Sequence, residues 1–348
     1  MKSFNKYLMH RLKSTFFLTL ALCILAAIIM SVSVSMWVGN FYEWIDYTKE
    51  SIEVKRLRID NFGMIIFILG AAVTVMPVVE LGDMKNKRNA DLIYSLPVSR
   101  LKMALAHYLS GLIQIFAIYT VAYATMYIEI VSSPLYSWVQ SPAALIGCYF
   151  ALLGVGAAVY SIFMAIFNSA NTVVDGCVFI TVWSMLVALF AIALGEFNVE
   201  THDIFRLDFI NYIPAERLYP HSALAISEFF YSLIVGNKTY YYYVNCAVFW
   251  SAVGIVCAVV YFFSFKKKRT EELGSLSDTV FGYKVILPIA VFSMTQALDE
   301  SFISHIFAIL LGVVGYMIYR RSYKIKKNDI ITIAAICAFT SVFMGIFR

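Results

Sequence analysis

Five side chains in this sequence combine ionisable or amide chemistry with apolar surroundings: Glu80, Asn171, Asp175, Asn245 and His305. Groups of these types relay protons, hold ions or close hydrogen bonds between helices. Inside apolar runs they are functional candidates by default. Glu80, Asn171 and Asp175 fall near the ends of their runs, where water also satisfies them. Asn245 and His305 lie deeper, and for both an interhelical hydrogen bond is the expected role. Signatures of catalysis are missing. The sequence has no G-x-x-x-x-G-K-[ST] loop to cradle a nucleotide and no H-E-x-x-H. Glu200, Thr201, His202 and Asp203 set possible metal ligands side by side, but a solvated polar loop is the better reading of them. The "GVGAAV" run at Gly154 and Gly156 lacks a third glycine and reads as close helix packing. The chain is expected to be no enzyme and to hold no metal or cofactor of its own.

The elements that carry these groups follow from composition. Of 348 residues, 61% are hydrophobic and 14% charged, against about 25% charged in soluble domains. Apolar runs recur at the length of about 20 residues that crosses a hydrocarbon core. They are continuous rather than alternating, so the expected class is all-α and polytopic. Nine spans are predicted, near 15–38, 62–82, 101–130, 143–167, 172–195, 241–265, 285–299, 302–319 and 330–347. The seventh is short and contains Pro288. Pro77 in the second removes a hydrogen bond to the carbonyl of Val73 and predicts a hinge there, with Thr74 placed to satisfy the freed group. The six cysteines lie in apolar runs without C-x-x-C spacing and read as small buried residues.

Positive charge sets the expected orientation. With the N-terminus inside, cytoplasmic segments hold nineteen of the 27 Lys and Arg. This predicts a cytoplasmic N-terminus and an outer C-terminus in a cell (plasma) membrane. The basic residues are dispersed between spans, so a nucleic-acid partner is not expected, while membrane lipids are. Residues 1–14 predict an amphipathic interfacial helix with Phe4, Leu8 and Leu12 on one face and Arg11 free to snorkel. The outer segment 196–240 includes a second amphipathic stretch ending at Gly236.

Between the second and third spans lies "KNKRNADLIYSLPVSR". Leu92, Ile93 and Leu96 fall at helical spacing, and Pro97 ends the helix. Ser99 sits where it can cap the next helix. An exposed apolar face on a short cytoplasmic helix marks a protein contact. A helix dipping its leucines into lipid is the competing reading.

These residues resemble a motif of the permease subunits of type-2, exporter-class ABC transporters: Arg88, Asp91, Leu92, then Ser95, Leu96, Pro97, Val98, Ser99 and Arg100. A second similarity is Arg269, Glu272 and Gly274 after the sixth span. The resemblance implies a six-span permease core over 15–280, preceded by a connecting helix at 1–14. It implies a coupling helix at 84–100, with Arg88, Asp91, Leu92, Ile93, Leu96, Pro97 and Arg100 docking on the ATPase, and an outer gate at 196–240. It also implies a separate ATPase subunit carrying ATP and Mg, and a second or homologous permease copy. Residues 281–348 depart from the six-span pattern and predict about three additional C-terminal spans. A secondary transporter, or a non-transporting scaffold or sensor subunit, is the alternative. The sequence does not name a substrate.

Overall fold

Apolar chain in a membrane must satisfy its backbone within each segment, and helix does this locally. The computed structural model describes residues 2–47, 62–134, 136, 139, 141–200, 219–235, 241–268, 270–277, 279, 281–296 and 302–347. It describes backbone alone at 2–3, 40–47, 62, 191–200, 235, 270, 296, 302–303 and 343–347. Among the described residues there is no strand. The helices are α1 (Lys2–Tyr47), α2 (Phe62–Leu81), α3 (Lys87–Tyr94), α4 (Arg100–Ser132), α5 (Pro142–Ser169) and α6 (Val173–Glu200). They continue as α7 (Ile226–Val235), α8 (Tyr242–Lys267), α9 (Tyr283–Gln296), α10 (Phe302–Arg320) and α11 (Lys327–Phe347).

Six of these, α1, α2, α4, α5, α6 and α8, are long and apolar enough to cross a membrane. Their outward faces are greasy: Phe17 is 80% exposed and Ile255 69%. Soluble proteins rarely expose apolar surface on this scale. The chain is an all-α, multi-pass membrane protein. Helices α9 and α10 are apolar over shorter stretches, Tyr283–Thr295 and Ser304–Arg320.

The chain divides into two compact units. One comprises Met1–Glu80, Pro97–Ile162 and Ala223–Phe262. In it α1 packs along α4. The expected separate helix at 1–14 is absent, because no Gly or Pro interrupts α1 before Gly39. The face expected to lie on the membrane is also different. Tyr7, Arg11 and Thr15, each one turn from the next, are buried, while Phe4, Leu8 and Leu12 are half-buried. Small residues let helices approach: a Cβ on Gly254 would sit 2.6 Å from the Ala158 carbonyl oxygen. Gly156 faces Leu69 in the same way, whereas Gly154 faces open space, so only half of that expected packing pair is used. Pro77 is inside α2 as expected. The Thr74 hydroxyl donates its proton to the Gly70 carbonyl at 2.7 Å.

The other unit comprises Leu81–Leu96, Phe163–Ser222 and Phe263–Arg348. Helix α9 packs against α6, α10 and α11. Only residues 170–172 join α5 to α6. Helix α10 ends in a Schellman turn: Ser322 N donates to Met317 O at 3.2 Å and Arg321 N to Ile318 O at 3.1 Å. Arg321 occupies the left-handed position, φ 51°, at a cost of roughly 1–2 kcal/mol. Its side chain explains why a larger residue is kept there, as described below.

Candidate functional site

Helix α3 is built to stay folded at its edges and open on one face. Asn86 caps it, its side-chain oxygen accepting from Arg88 N at 3.2 Å. Leu96 N donates to Ile93 O at 3.3 Å in the turn that ends it before Pro97. Leu92 is 64% exposed and Leu96 41%, with Ile93 half-buried. Arg88 and Asp91 are exposed, as is Pro97, and Arg100 is half-buried at the start of α4. Lys87 and Asp91, one turn apart, form no ion pair. Ser99 occupies the N-cap position of α4 without a side-chain capping bond.

The buried side of α3 rests on residues 270–272, in the segment after α8. Gly274 closes that segment with φ +79°, a conformation that favours glycine, and its N–H donates to Asn171 O at 3.1 Å. Asn171 is nearly buried and returns two bonds through Nδ2, to Ser275 Oγ and Leu276 O, both at 3.1 Å. Its N–H reaches Ser277 Oγ at 2.9 Å. Ser277 in turn donates to Asp175 at 2.8 Å, and Tyr283 does so at 3.0 Å. Arg321 completes this set, reaching Asp175 at 3.4 Å and Gly274 O at 3.1 Å. Asn171 and Asp175 therefore tie the α5–α6 turn to the segment beneath α3 and to the start of α9, rather than reaching water.

Two lysines finish the anchor. Lys85 and Lys268 both donate to the carbonyls of Asn168 and Ala170, at the C-terminal end of α5. That end of a helix has unpaired carbonyls and partial negative charge, so it favours cations. Burial pushes both amines down, Lys268 to about 8 and Lys85 well below the usual lysine range, where the charge of Lys268 adds to the effect.

A second polar cluster lies in the other unit. Glu80 is wholly buried. Its carboxylate accepts from Gln114 at 2.6 Å, Ser110 at 2.8 Å and His107 Nδ1 at 3.2 Å. Arg11 pairs with it at 3.4 Å and donates to its backbone carbonyl at 3.0 Å. With the Nδ1 proton aimed at Glu80, His107 Nε2 accepts from the Tyr7 hydroxyl at 2.9 Å. Thr19 donates to the Gln114 side chain at 3.0 Å. Glu80 does not reach headgroup water as one expected reading had it, and Arg11 does not snorkel, because each neutralises the other inside the α1–α2–α4 interface. The Glu80 carboxylate thus holds one cation and three further donors. Sequence reading missed Tyr7, His107, Ser110 and Gln114. The available signal was polar residues at helical spacing on α1 (7, 11, 15, 19) and α4 (107, 110, 114).

Asn245 is exposed in the first turn of α8, and its side chain bonds no described residue, so the interhelical role expected of it is not taken up. His305 Nε2 meets Ser341 Oγ at 3.0 Å, between α10 and α11. No group of three or more His, Cys, Asp or Glu among the described residues is placed to hold a metal. His202 and Asp203 lie outside the described residues, as does Arg269. Of the outer segment 196–240, the described parts are 196–200 and 219–235, the latter a 3-10 turn at Pro220–Ala225 followed by α7.

The fold defines a class, a multi-pass helical membrane protein, in which a short helix, α3, leaves Leu92 exposed and a buried ionic network joins α1, α2 and α4. No family model, no curated protein and no solved structure matches this chain.

Proposed function

We propose that this chain is the membrane-spanning permease subunit of an ABC transporter of the exporter class, driven by a separate ATPase that binds ATP and Mg. In this reading α3 is the coupling helix and the N-terminus is cytoplasmic. Helices α9–α11 are further membrane segments, and two permease copies line one path. One observation carries the reading: α3 exposes Leu92 and Leu96 while its other side rests on residues 270–272. Parts of the two stretches on which the resemblance stands, residues of α3 and 270–272, are thus in contact. A push on α3 would pass through the Lys85 and Lys268 clamps to the end of α5 and move attached helices as a body.

The buried carboxylate of Glu80 is the observation a secondary transporter would use. Its set of partners favours a latch between helices instead. Both readings meet one experiment, in which the chain is purified from its native host and co-purifying proteins are scored for a G-x-x-x-x-G-K-[ST] peptide and for ATP hydrolysis. The ABC reading expects both with wild type and with Ser95→Ala, and neither with Leu96→Asp. Transport by the chain alone, driven by an ion gradient and indifferent to Leu96→Asp, supports the alternative.

A further inference from the structure

Helices α6, α9 and α11 line an open apolar groove of about 640 Å³, within the roughly 300–1,000 Å³ of ligand pockets. On α9 its wall is formed by Pro288 and Phe292, on α11 by Ile331, Ala335 and Phe339, and on α6 by Phe190. Thr332 is its polar member. Each of two walls is a stripe of period four, and each stripe begins with a lysine. On α9 the stripe runs Lys284, Pro288, Phe292, and on α11 it runs Lys327, Ile331, Ala335, Phe339. Residues four apart share one helix face.

The two lysines stand at the same end. The Tyr283 ring lies 5.5 Å from that of Tyr319, which brings the start of α9 to the end of α10. Arg320 holds Asp329 through two bonds of 2.5 and 2.6 Å, which brings the end of α10 to the start of α11. That ion pair also neutralises the carboxylate in the first turn of α11. Lys324, Lys326 and Lys327 remain exposed around it. From Ile331 to Phe339 the α11 wall extends roughly 12 Å, close to the roughly 15 Å of one leaflet of a hydrocarbon core.

We infer that this groove is a binding site for an anionic phospholipid, with an acyl chain between α6, α9 and α11 and the phosphate on Lys284 and Lys327. The inference rests on α9–α11 being membrane helices and not on the ABC reading. A basic end and a dry groove match both parts of such a lipid, whereas a second copy of this chain would bring its own lysines against these. The test uses the purified full chain in neutral detergent. Recovery in an alkali-washed membrane fraction is scored first, and failure at that step overturns the membrane reading of the whole chain and the site with it. Binding of phosphatidylglycerol and of phosphatidylcholine is then compared by native mass spectrometry. Phosphatidylglycerol should bind tighter. Lys284→Gln or Lys327→Gln should each weaken it roughly fivefold and the double variant about 25-fold, leaving phosphatidylcholine unchanged. Ala335→Trp, which fills the groove, should weaken both lipids. Equal binding of the two lipids to wild type, or a preference that survives both lysine substitutions, overturns the inference. So does efficient cross-linking of two chains through Ala335→Cys, which would assign the groove to a second copy.

Discussion

Replacing Glu80 by alanine removes the acceptor on which Arg11, His107, Ser110 and Gln114 converge. Two estimates of the loss differ. Counted as interhelical hydrogen bonds in a membrane, at about 0.6 kcal/mol each, the four bonds come to about 2.4 kcal/mol. Counted as a broken buried ion pair, the loss is about 3–5 kcal/mol, because a charge is left without its partner. The second governs here, since Arg11 is itself buried and its guanidinium faces the lost carboxylate. At about 2 °C per kcal/mol for a chain of this size, Glu80→Ala should lower the unfolding midpoint in detergent by about 6–10 °C. The control is the double variant Arg11→Met with Glu80→Leu, which removes both charges and should recover most of the loss. Thermal unfolding followed by size-exclusion chromatography measures both. A shift within about 1 °C for Glu80→Ala, or a double variant as unstable as the single, refutes the latch.

Three further outcomes follow from the geometry. A Cβ at Gly111 would lie 2.1 Å from the Tyr160 hydroxyl oxygen, so Gly111→Ala should destabilise the protein by about 1–3 kcal/mol; adding Tyr160→Phe should restore part of it, and equal instability of single and double variants would contradict the contact. Lys268 titrates near about 8 in the folded chain and near about 10.4 when unfolded, so between those values the unfolded chain holds the extra proton. Stability should rise with pH across that window and be lowest below it; Lys85→Met, which removes the second depressed amine, should flatten the rise, and an unchanged slope in denaturation midpoints would contradict the shared site. Cysteine labelling should reach the exposed positions 88 and 267 from the cytosolic face, and labelling of those positions from outside would reverse the proposed orientation.

How much of this was legible depended on range. The long apolar helices could be read because hydrophobicity over about 20 residues is a local property, and α3 because the Leu92–Leu96 spacing and Pro97 lie within six residues. Gly274 was visible as part of a motif, but its left-handed φ and its bond to Asn171 join positions about a hundred residues apart. The same distance hid the Glu80 network. Arg11 looked like a snorkelling cation because nothing near it in sequence is acidic, and its partner lies 69 residues away. The apolar face chosen for residues 1–14 failed for a related reason: Tyr7 and Arg11 turn inward because their partners, His107 and Glu80, lie far along the chain. Lys85 and Lys268 read as ordinary interfacial charge, because a helix C-terminus that will receive them leaves no mark in their own neighbourhood.

The central claim is that α3 docks on an ATPase, and a photo-crosslinking residue placed at Leu92 tests it most directly. Leu92 is exposed and makes no side-chain hydrogen bond, so the substitution should leave the fold intact. On illumination of native membranes, the account predicts one adduct whose partner contains a G-x-x-x-x-G-K-[ST] peptide, lost when Leu96→Asp is added, and absent when the same probe sits at the equally exposed Val248 of α8. Adducts to lipid alone from position 92, or the same protein adduct from both positions, would contradict it.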